Sequence, residues 1–184
     1  MPRGYYPRKL KRTGVVQPDD NAIRYIPLTK GLVAIVDAEN FDRLSTFNWS
    51  ADSDSDGRHY PVTTLPRQGD TRQRKVKMHR FLLEGDFECI DHINRDPLDN
   101  RLGNLRGCTF QQNSANRSLN RNNTSGAKGV FKVAGYNRWR ACIRVAKRTH
   151  HLGYFPSAEE AAAAYDRAAI KLLGNYAATN AVLA

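Results

Sequence analysis

The stretch that decides the fold covers residues 89–117 and reads CIDHINRDPLDNRLGNLRGCTFQQNSANR. Acidic, imidazole and amide side chains are concentrated in it. Ile90 and Ile93 flank the adjacent pair Asp91 and His92, which predicts that the pair lies at the end of a short buried strand. Neighbouring side chains of a strand point to opposite faces, but at a strand end both can reach one site.

The rest of this stretch predicts a return strand and a helix. Pro97 indicates a loop, and a second short strand is expected at 104–106. Thr109 then begins a helix, and Gln112 three residues later completes a capping box. That helix carries two amides, Asn113 and Asn116. The predicted order is therefore strand, loop, strand and helix.

These residue types suit phosphodiester hydrolysis. A carboxylate and a carboxamide oxygen are hard ligands of the kind that Mg²⁺ takes while it keeps several waters. The ion stabilises the charge that develops on a phosphate and on its leaving oxygen. A neutral imidazole can take the proton of an attacking water. An isolated Asp-His pair is more often a polar pair in a loop, so the argument rests on the whole spacing.

Met78 to Arg117 resembles the HNH nuclease family, in the variant whose last motif position is Asn. The matching residues are Asp91-His92, Asp99-Asn100, Asn104-Leu105-Arg106 and Gln112-Asn113. The resemblance implies a ββα-metal fold and a single divalent ion, Mg²⁺ or Mn²⁺. It makes His92 the general base, and Asp91 and Asn113 the metal ligands, with Asn116 as the rival of Asn113. It gives Asn104 the role of holding the loop that orients His92, with Asn100 as the alternative.

Several basic side chains near the motif are candidates for phosphate contacts. Arg80 and Arg106 are the two that we expect to touch DNA, although a carboxylate partner among Asp96 and Asp99 is equally open for some arginines of this segment. His79, in Met78-His79-Arg80, is expected to be a scaffold residue near the site.

Residues 138–145 alternate between a basic and an apolar face. Arg138, Arg140 and Arg144 fall on one face, and Trp139, Ala141, Ile143 and Val145 fall on the other. Further strands are expected at 128–133 and 149–155, with a turn at Gly135. Ser157 and Glu160 begin an alanine-rich helix, and Gly174 ends it. Between Lys128 and Arg148 there are seven basic residues and no acidic ones, which favours nucleic acid as the partner.

Ser125 to Asn180 resembles an AP2 DNA-binding domain, through Arg138-Trp139-Arg140-Ala141, Leu152-Gly153-Tyr154-Phe155 and Ala164-Tyr165-Asp166-Arg167 among other matches. The resemblance implies a three-stranded sheet in the major groove. Its candidate DNA contacts are Lys128, Gly129, Arg138, Arg140, Arg144, His151, Tyr154 and Tyr165. The chain departs from the family pattern at Phe131, Val133 and Cys142, so no target sequence can be carried over. Whether Lys132 or Phe131 faces DNA stays open: charge favours Lys132 and the family register favours Phe131.

The earlier part of the chain predicts a β-rich scaffold. Strands are expected at 25–28, 32–36, 58–64 and 74–78, a helix from Asp37 to Phe47 and a helical turn at 79–83. The acidic run at 52–57 imitates the opening of a calcium loop. Its twelfth position would be Thr63 rather than the required Glu, so a solvated turn is the better interpretation.

The 184 residues carry a net charge of +11, which is unevenly distributed. Residues 1–12 carry +5, 13–66 carry −4, 67–117 carry +3 and 118–184 carry +7. Together with the resemblances to the HNH and AP2 families, this distribution leads us to expect an α+β protein with a flexible basic arm at 1–20, a scaffold and HNH nuclease domain at 21–117, a linker at 118–127 and an AP2-like domain at 128–184. In that last domain a three-stranded sheet packs on one helix.

The favoured function is a metal-dependent DNA endonuclease of the homing type, with double-stranded DNA as its partner. The alternative is a non-catalytic DNA-binding regulatory protein that retains an HNH fold, and RNA binding is a weaker third option. No apolar run long enough for a membrane span exists, and no secretory leader is evident. We expect a monomer that acts in the cytoplasm of a bacterial host cell and is encoded by a phage or mobile element. No small-molecule cofactor is expected.

Overall fold

Among the described residues, buried apolar side chains form one cluster in the N-terminal part of the chain and two in the C-terminal part. The computed structural model describes residues 14–66, 73–120 and 122–183, so most of the predicted basic arm lies outside the described residues. The chain divides into two compact units, Met1–Gly107 and Cys108–Ala184. This division falls before the predicted linker at 118–127, and it groups the helix that follows Thr109 with the C-terminal unit.

The N-terminal unit begins with a hairpin and a helix. Strands β1 (Ile23–Pro27) and β2 (Val33–Asp37) pair antiparallel, and Lys30 turns the chain between them with a φ of 63°. Helix α1 (Ala38–Ser45) follows directly. Asp37 stands at its N-cap position but makes no side-chain cap, because its Oδ2 accepts a hydrogen bond from the amide of Leu102 at 2.7 Å instead.

An antiparallel sheet and a second helix complete the scaffold. The sheet contains β3 (Ser50–Ser53), β4 (His59–Pro66) and β5 (Gln73–Lys77), with β4 in the middle, and α2 (Met78–Leu82) follows. The turn between β3 and β4 is closed by Arg58, whose Nε donates to Asp54 Oδ2 at 2.9 Å, in agreement with the solvated-turn interpretation. The core contains Ile26, Ala34, Val36, Leu44, Trp49, Met78, Leu82, Ile90 and Leu105.

The motif segment forms the predicted strand pair, followed by the predicted helix. Strands β6 (Cys89–His92) and β7 (Leu105–Cys108) form a two-stranded sheet. Helix α3 (Phe110–Ala115) begins after Thr109, whose side chain accepts from the amide of Gln112 in a complete capping box. The expected strand at 104–106 begins one residue later, because Asn104 ends a 3₁₀ turn.

The C-terminal unit contains a three-stranded antiparallel sheet and a long helix. The sheet has the order β10 (Arg148–Phe155), β9 (Trp139–Val145), β8 (Val130–Lys132), and α4 (Ala158–Leu173) begins at the cap Ser157. The inward side chains Val130, Ala141 and Ile143 pack with Ala161, Tyr165 and Ala169 of α4. A short helix, α5 (Asn180–Leu183), comes last.

The mixed α+β class is confirmed, and two short elements, β3 and α5, were missed. In the part of the chain that the structure describes, no helix has both the length and the apolar character that crossing a bilayer would require.

Candidate functional site

The loop that follows His92 is fastened to the core hairpin by its backbone. The amide of Ile35 on β2 donates to the carbonyl oxygen of Leu98 at 2.8 Å, and the amide of Asn100 donates to the carbonyl oxygen of Ile35 at 2.7 Å. These two bonds flank Asp99, which forms an isolated bridge with Ile35. The position of the loop is therefore set by a strand of the hydrophobic core.

Asn104 ties the two ends of this loop together. Its Nδ2 donates to the Asp99 carbonyl oxygen at 2.8 Å and to Asn94 Oδ1 at 2.9 Å. Its Oδ1 accepts the amide of Asn94 at 2.9 Å. Asn104 is only 9% exposed. Its contacts match the loop-holding role that the resemblance implied for the middle asparagine.

Asn100, the alternative for that role, occupies a different position. It is fully buried, and its Nδ2 donates to the Pro97 carbonyl oxygen at 2.9 Å. Its side chain also interacts with His92 and raises the pKa of that imidazole. Both asparagines thus belong to the site: Asn104 fixes the loop, and Asn100 faces the imidazole.

His92 is a buried imidazole that favours its neutral form. Burial lowers its pKa below the ordinary value of 6.5, and this effect outweighs the Asn100 interaction and the attraction of nearby carboxylates, Asp91 first among them. The side chain is 6% exposed. A neutral imidazole at physiological pH is the form that a general base requires.

A second histidine lies beside it. The rings of His79 and His92 are 5.1 Å apart between centroids and meet edge to face, and the Tyr60 ring lies 6.1 Å from His79 and 6.3 Å from His92. Burial first, and then the electrostatic effects of His92, Lys77 and Arg80, together lower the pKa of His79 to about 3. His79 thus packs against His92 as a neutral ring.

Asp91, the expected metal ligand, is paired with Arg106. Two nitrogens of the guanidinium donate to the same carboxylate oxygen, Oδ2: Nε at 2.9 Å and a terminal nitrogen at 2.6 Å. Both side chains are largely buried, with exposed fractions of 6% for Asp91 and 17% for Arg106. Arg106 was expected to touch DNA, with Asp96 and Asp99 as the alternative carboxylate partners for some arginines of this segment; the structure pairs it with Asp91 instead.

Two further arginines also have hydrogen-bond partners within the N-terminal unit. Arg101 binds both oxygens of Asp99, at 2.8 and 2.6 Å. Burial raises the pKa of Asp99, but the Arg101 contacts outweigh it and leave that pKa below its usual value. Arg80, an expected DNA contact, donates to the carbonyl oxygens of Phe87 and Glu88, both at 2.8 Å, and so fixes the chain that leads into β6.

The donor types fit the divalent ion that the resemblance implies. Asp91 offers a carboxylate, and Asn113 on α3 offers an amide oxygen, both hard ligands of the kind that Mg²⁺ takes. Asn113 is half-buried, whereas its rival Asn116 is 6% exposed and follows the last residue of α3. Among the described residues, no three His, Cys, Asp or Glu side chains are grouped as a metal site.

The sheet of the C-terminal unit has the predicted basic face. Arg140 and Arg144 of β9 are exposed, whereas Ala141 and Ile143 are buried. Arg140 pairs with Phe131 on β8 and with Tyr154 on β10, so the three side chains form one cross-strand row. The Arg140 guanidinium lies 5.5 Å from the Phe131 ring centre. Phe131 therefore shares the basic face, and Lys132 pairs with Trp139 and lies over its ring at 5.7 Å.

One end of this face carries a histidine and a tyrosine in contact. A register irregularity between His151 and Gly153 brings the His151 and Tyr154 rings to 4.8 Å between centroids. Both side chains are exposed, and so is Arg138 just before β9. These three expected contacts are thus accessible.

Three other expected contacts are engaged within the C-terminal unit by packing or hydrogen bonds. Tyr165 is 5% exposed and packs with Ile143 and Ala169, and its burial raises its pKa to about 12. Gly129 has a φ of 71°, and a Cβ there would collide with the Tyr165 ring and the Cys142 carbonyl oxygen. The Lys128 ammonium donates to the carbonyl oxygens of Ala115 and Arg117, at 2.6 and 2.8 Å. We define the exposed basic face without these three residues.

Sequence reasoning missed the supports of the site. Ile35 binds the loop through its backbone. The Asp37 carboxylate accepts a hydrogen bond from the amide of Leu102, and Asn94 is hydrogen-bonded to Asn104. Only Asn94 carried a signal, since it lies in the amide-rich motif. The other two lie more than fifty residues before it, and no local pattern connects them to the loop.

Comparison with known proteins finds matches that cover the segment carrying this site. The sequence model of the HNH endonuclease family matches residues 86–115, which include Asp91, His92, Asn104 and Asn113. An uncharacterized HNH endonuclease of Acanthamoeba polyphaga mimivirus is 31% identical over 160 residues, which cover 83% of this chain and 77% of that protein.

Two shorter matches were also found. Protein 3.8 of Escherichia phage T7 is 36% identical over 62 residues, or 34% of this chain and 51% of that protein. An ethylene-responsive transcription factor of Arabidopsis thaliana is 48% identical over 62 residues, or 33% of this chain and 24% of that protein. The extent of the viral match and the family model on the motif together lead to one conclusion: the chain belongs to the HNH endonuclease family.

Proposed function

We propose that the protein is a metal-dependent DNA endonuclease of the homing type, in which an AP2-like domain supplies the sequence preference. One observation carries this proposal. The Asp91–His92 pair lies at the end of β6 with a neutral imidazole and a buried carboxylate; Asn104 holds the loop that follows, and Asn100 faces the imidazole. Such a pair is costly to bury, and its chemistry matches that of the family.

In the proposed mechanism, His92 removes the proton of the attacking water. Asn100 orients the ring and stabilises its protonated form, which is the direction in which it moves the pKa of His92. Asp91 and Asn113 would hold the ion, Mg²⁺ or Mn²⁺. When bound, that ion supplies charge stabilisation at the phosphate and at the leaving oxygen. Asn104 acts through the loop and touches no reacting atom.

Binding of DNA is assigned to the exposed basic face of the C-terminal sheet. Its arginines supply the attraction to phosphate that any such protein needs. The row Phe131, Arg140 and Tyr154 adds two aromatic rings. Phe131 offers an apolar contact for a thymine methyl group, whereas a hydrogen-bonding side chain at that position would recognise another base. The match to a transcription factor supports this assignment, and we propose the linker at 118–127 and the AP2-like domain at 128–184 accordingly.

A non-catalytic DNA-binding regulator remains the second candidate. The observation that favours it is the Arg106–Asp91 pair, because a carboxylate neutralised by an arginine is also what a scaffold without metal would keep. The two candidates differ in a simple respect. The enzyme cuts DNA in the presence of a divalent ion, and the regulator binds the same DNA and leaves it whole.

The test uses the full chain with a supercoiled plasmid that carries its own coding locus and flanks. We expect nicked or linear product with Mg²⁺ or Mn²⁺, and none after chelation with EDTA. Binding to the same DNA, measured by gel shift in EDTA, should persist. Binding without cleavage across divalent ions would reject the endonuclease and support the regulator. Cleavage that survives complete chelation would reject the metal-dependent mechanism.

A further inference from the structure

The C-terminal end of α3 is held by a lysine from outside the helix. The last carbonyl groups of any helix have no partner within it. Here the Ala115 carbonyl oxygen accepts from the Lys128 ammonium at 2.6 Å and from the amide of Ala178 at 3.3 Å. The Arg117 carbonyl oxygen accepts from the same ammonium at 2.8 Å. A positive charge at this end of a helix is also favoured by the helix dipole.

Lys128 is itself fixed to helix α4. Its amide donates to Asn180 Oδ1 at 2.6 Å, and Asn180 Nδ2 donates back to the Lys128 carbonyl oxygen at 3.3 Å. The amide and Nδ2 of Asn180 both donate to Asp166 Oδ1 on α4, at 2.7 and 3.0 Å. A continuous hydrogen-bonded path thus runs from α4 through Asp166, Asn180 and Lys128 to the end of α3.

Helix α3 depends on such contacts because it is short. It has six residues, and helices of that length are unstable unless their ends and faces are supported. The capping box of Thr109 and Gln112 supports its start, and Lys128 and Ala178 support its end. The same helix carries Asn113.

We infer that Lys128 is a positioning residue of the nuclease, which acts through the end of α3 and not through DNA. The inference rests on the proposed function, since it takes Asn113 as a ligand of the divalent ion. The helix that carries this amide is thereby set in place by the same unit that carries the proposed DNA-reading sheet.

The rival role for Lys128 is a phosphate contact, and the two roles have different signatures. A phosphate contact contributes a released counterion, so its loss weakens binding and lowers the salt slope by about one. A positioning residue leaves both quantities unchanged. Its loss lowers the cleavage rate of DNA that is already bound and raises the ion concentration needed for half-maximal cleavage. Outer-shell supports of metal ligands typically change such quantities by about 10- to 100-fold.

The experiment compares four forms of the full chain. Lys128→Met keeps the aliphatic stem and removes the ammonium, and Lys128→Arg retains a donor that can reach the carbonyl groups. Lys171→Met removes a charge from the exposed surface of α4 as a matched control. Each variant is measured for DNA affinity at several salt concentrations, for single-turnover cleavage against Mg²⁺ concentration, and for amide hydrogen exchange in α3 without DNA or metal.

We expect Lys128→Met to bind DNA within about twofold of wild type with an unchanged salt slope, to cleave bound DNA roughly tenfold more slowly, and to exchange the amides of α3 faster. Lys128→Arg should recover most of the cleavage rate, and Lys171→Met should behave as wild type. Weaker binding with a smaller salt slope, and a normal cleavage rate at saturation, would overturn the inference. Unchanged exchange in α3 would overturn it as well, even in a protein that does not cut. A wild-type chain that never cuts rejects the proposed function by itself, so the two failures are distinguishable.

Discussion

Arg106 and Asp91 form a buried ion pair in which the guanidinium places two nitrogens on one carboxylate oxygen, at 2.9 and 2.6 Å. The residue expected to bind the catalytic ion is thus already compensated by a positive charge from the neighbouring strand of the ββα motif. This explains how the Asp91 side chain, which is only 6% exposed, can be buried within the fold.

Loss of Arg106 alone should destabilise the fold strongly. Arg106→Met leaves Asp91 as a buried charge without its guanidinium partner and should lower the free energy of unfolding by about 3 kcal/mol. Asp91→Asn combined with Arg106→Met removes both charges and should cost clearly less than the sum of the two single changes. Urea unfolding in EDTA measures all four forms. Additive single effects would show that the pair is not coupled.

His79 should make the protein sensitive to mild acid. Its pKa is lowered from 6.5 to about 3 in the fold, so below pH 6.5 the unfolded chain binds a proton that the folded chain does not. Its contribution to the free energy of unfolding is complete above pH 6.5 and declines by about 1.4 kcal/mol per unit as the pH falls toward 3. Between pH 7 and pH 5 this amounts to about 2 kcal/mol.

The matched variants are His79→Phe, which keeps a ring, and His150→Phe at an exposed position of β10. Urea unfolding at both pH values should show a smaller acid-induced loss for His79→Phe than for the other two proteins. An equal loss in all three would mean that His79 is not the group responsible.

Gly129 should resist substitution more strongly than Gly135. Both have positive φ values, 71° and 75°, so alanine pays about 1 kcal/mol of backbone strain at either position. At Gly135 the new Cβ meets nothing within 4 Å, whereas at Gly129 it collides with Tyr165 and with the Cys142 carbonyl oxygen. In thermal unfolding, the free energy of unfolding of Gly129→Ala should therefore be lower than that of Gly135→Ala by about 2 kcal/mol. Similar values would contradict the packing of Tyr165 over this glycine.

Arg140 and Lys132 should differ in their effect on DNA binding. Arg140 lies in the exposed row with Phe131 and Tyr154, and Lys132 belongs to the row of Trp139. Arg140→Gln should weaken binding and lower the salt slope by about one, and Lys132→Gln should change the slope by less. Affinity titrations between 50 and about 200 mM salt give both quantities. The reverse order would mean that the DNA-binding face has been assigned to the wrong side.

The sequence predicted those elements whose signals are local. The flanking of Asp91 by Ile90 and Ile93, the capping box at Thr109 and the alternation in β9 each depend on residues within a few positions of one another. These elements appear in the structure within a few residues of their expected bounds. β3 was missed because Ser50–Ser53 has only one buried side chain, Ala51, and its pairing with β4 is what makes it a strand.

The partners of charged residues could not be predicted in the same way. Arginine side chains have a long reach, and several carboxylates and carbonyl groups lay within it for Arg80 and Arg106. Lys128 matched a DNA-binding family, and the sequence held no sign that its ammonium would meet the end of a helix eleven to thirteen residues earlier. Strand register, which the sequence did not show either, pairs Phe131 with Arg140 and Lys132 with Trp139.

The central claim is that His92 is the general base of a DNA endonuclease, and plasmid cleavage with Mg²⁺ by wild type, His92→Ala and His150→Ala tests it most directly. General-base catalysis contributes about 10²- to 10⁴-fold. We predict that His92→Ala lowers the cleavage rate by at least about a hundredfold and keeps its affinity for the same DNA, whereas His150→Ala, at an exposed site, cuts as wild type does. Equal cleavage rates for wild type and His92→Ala would contradict the account.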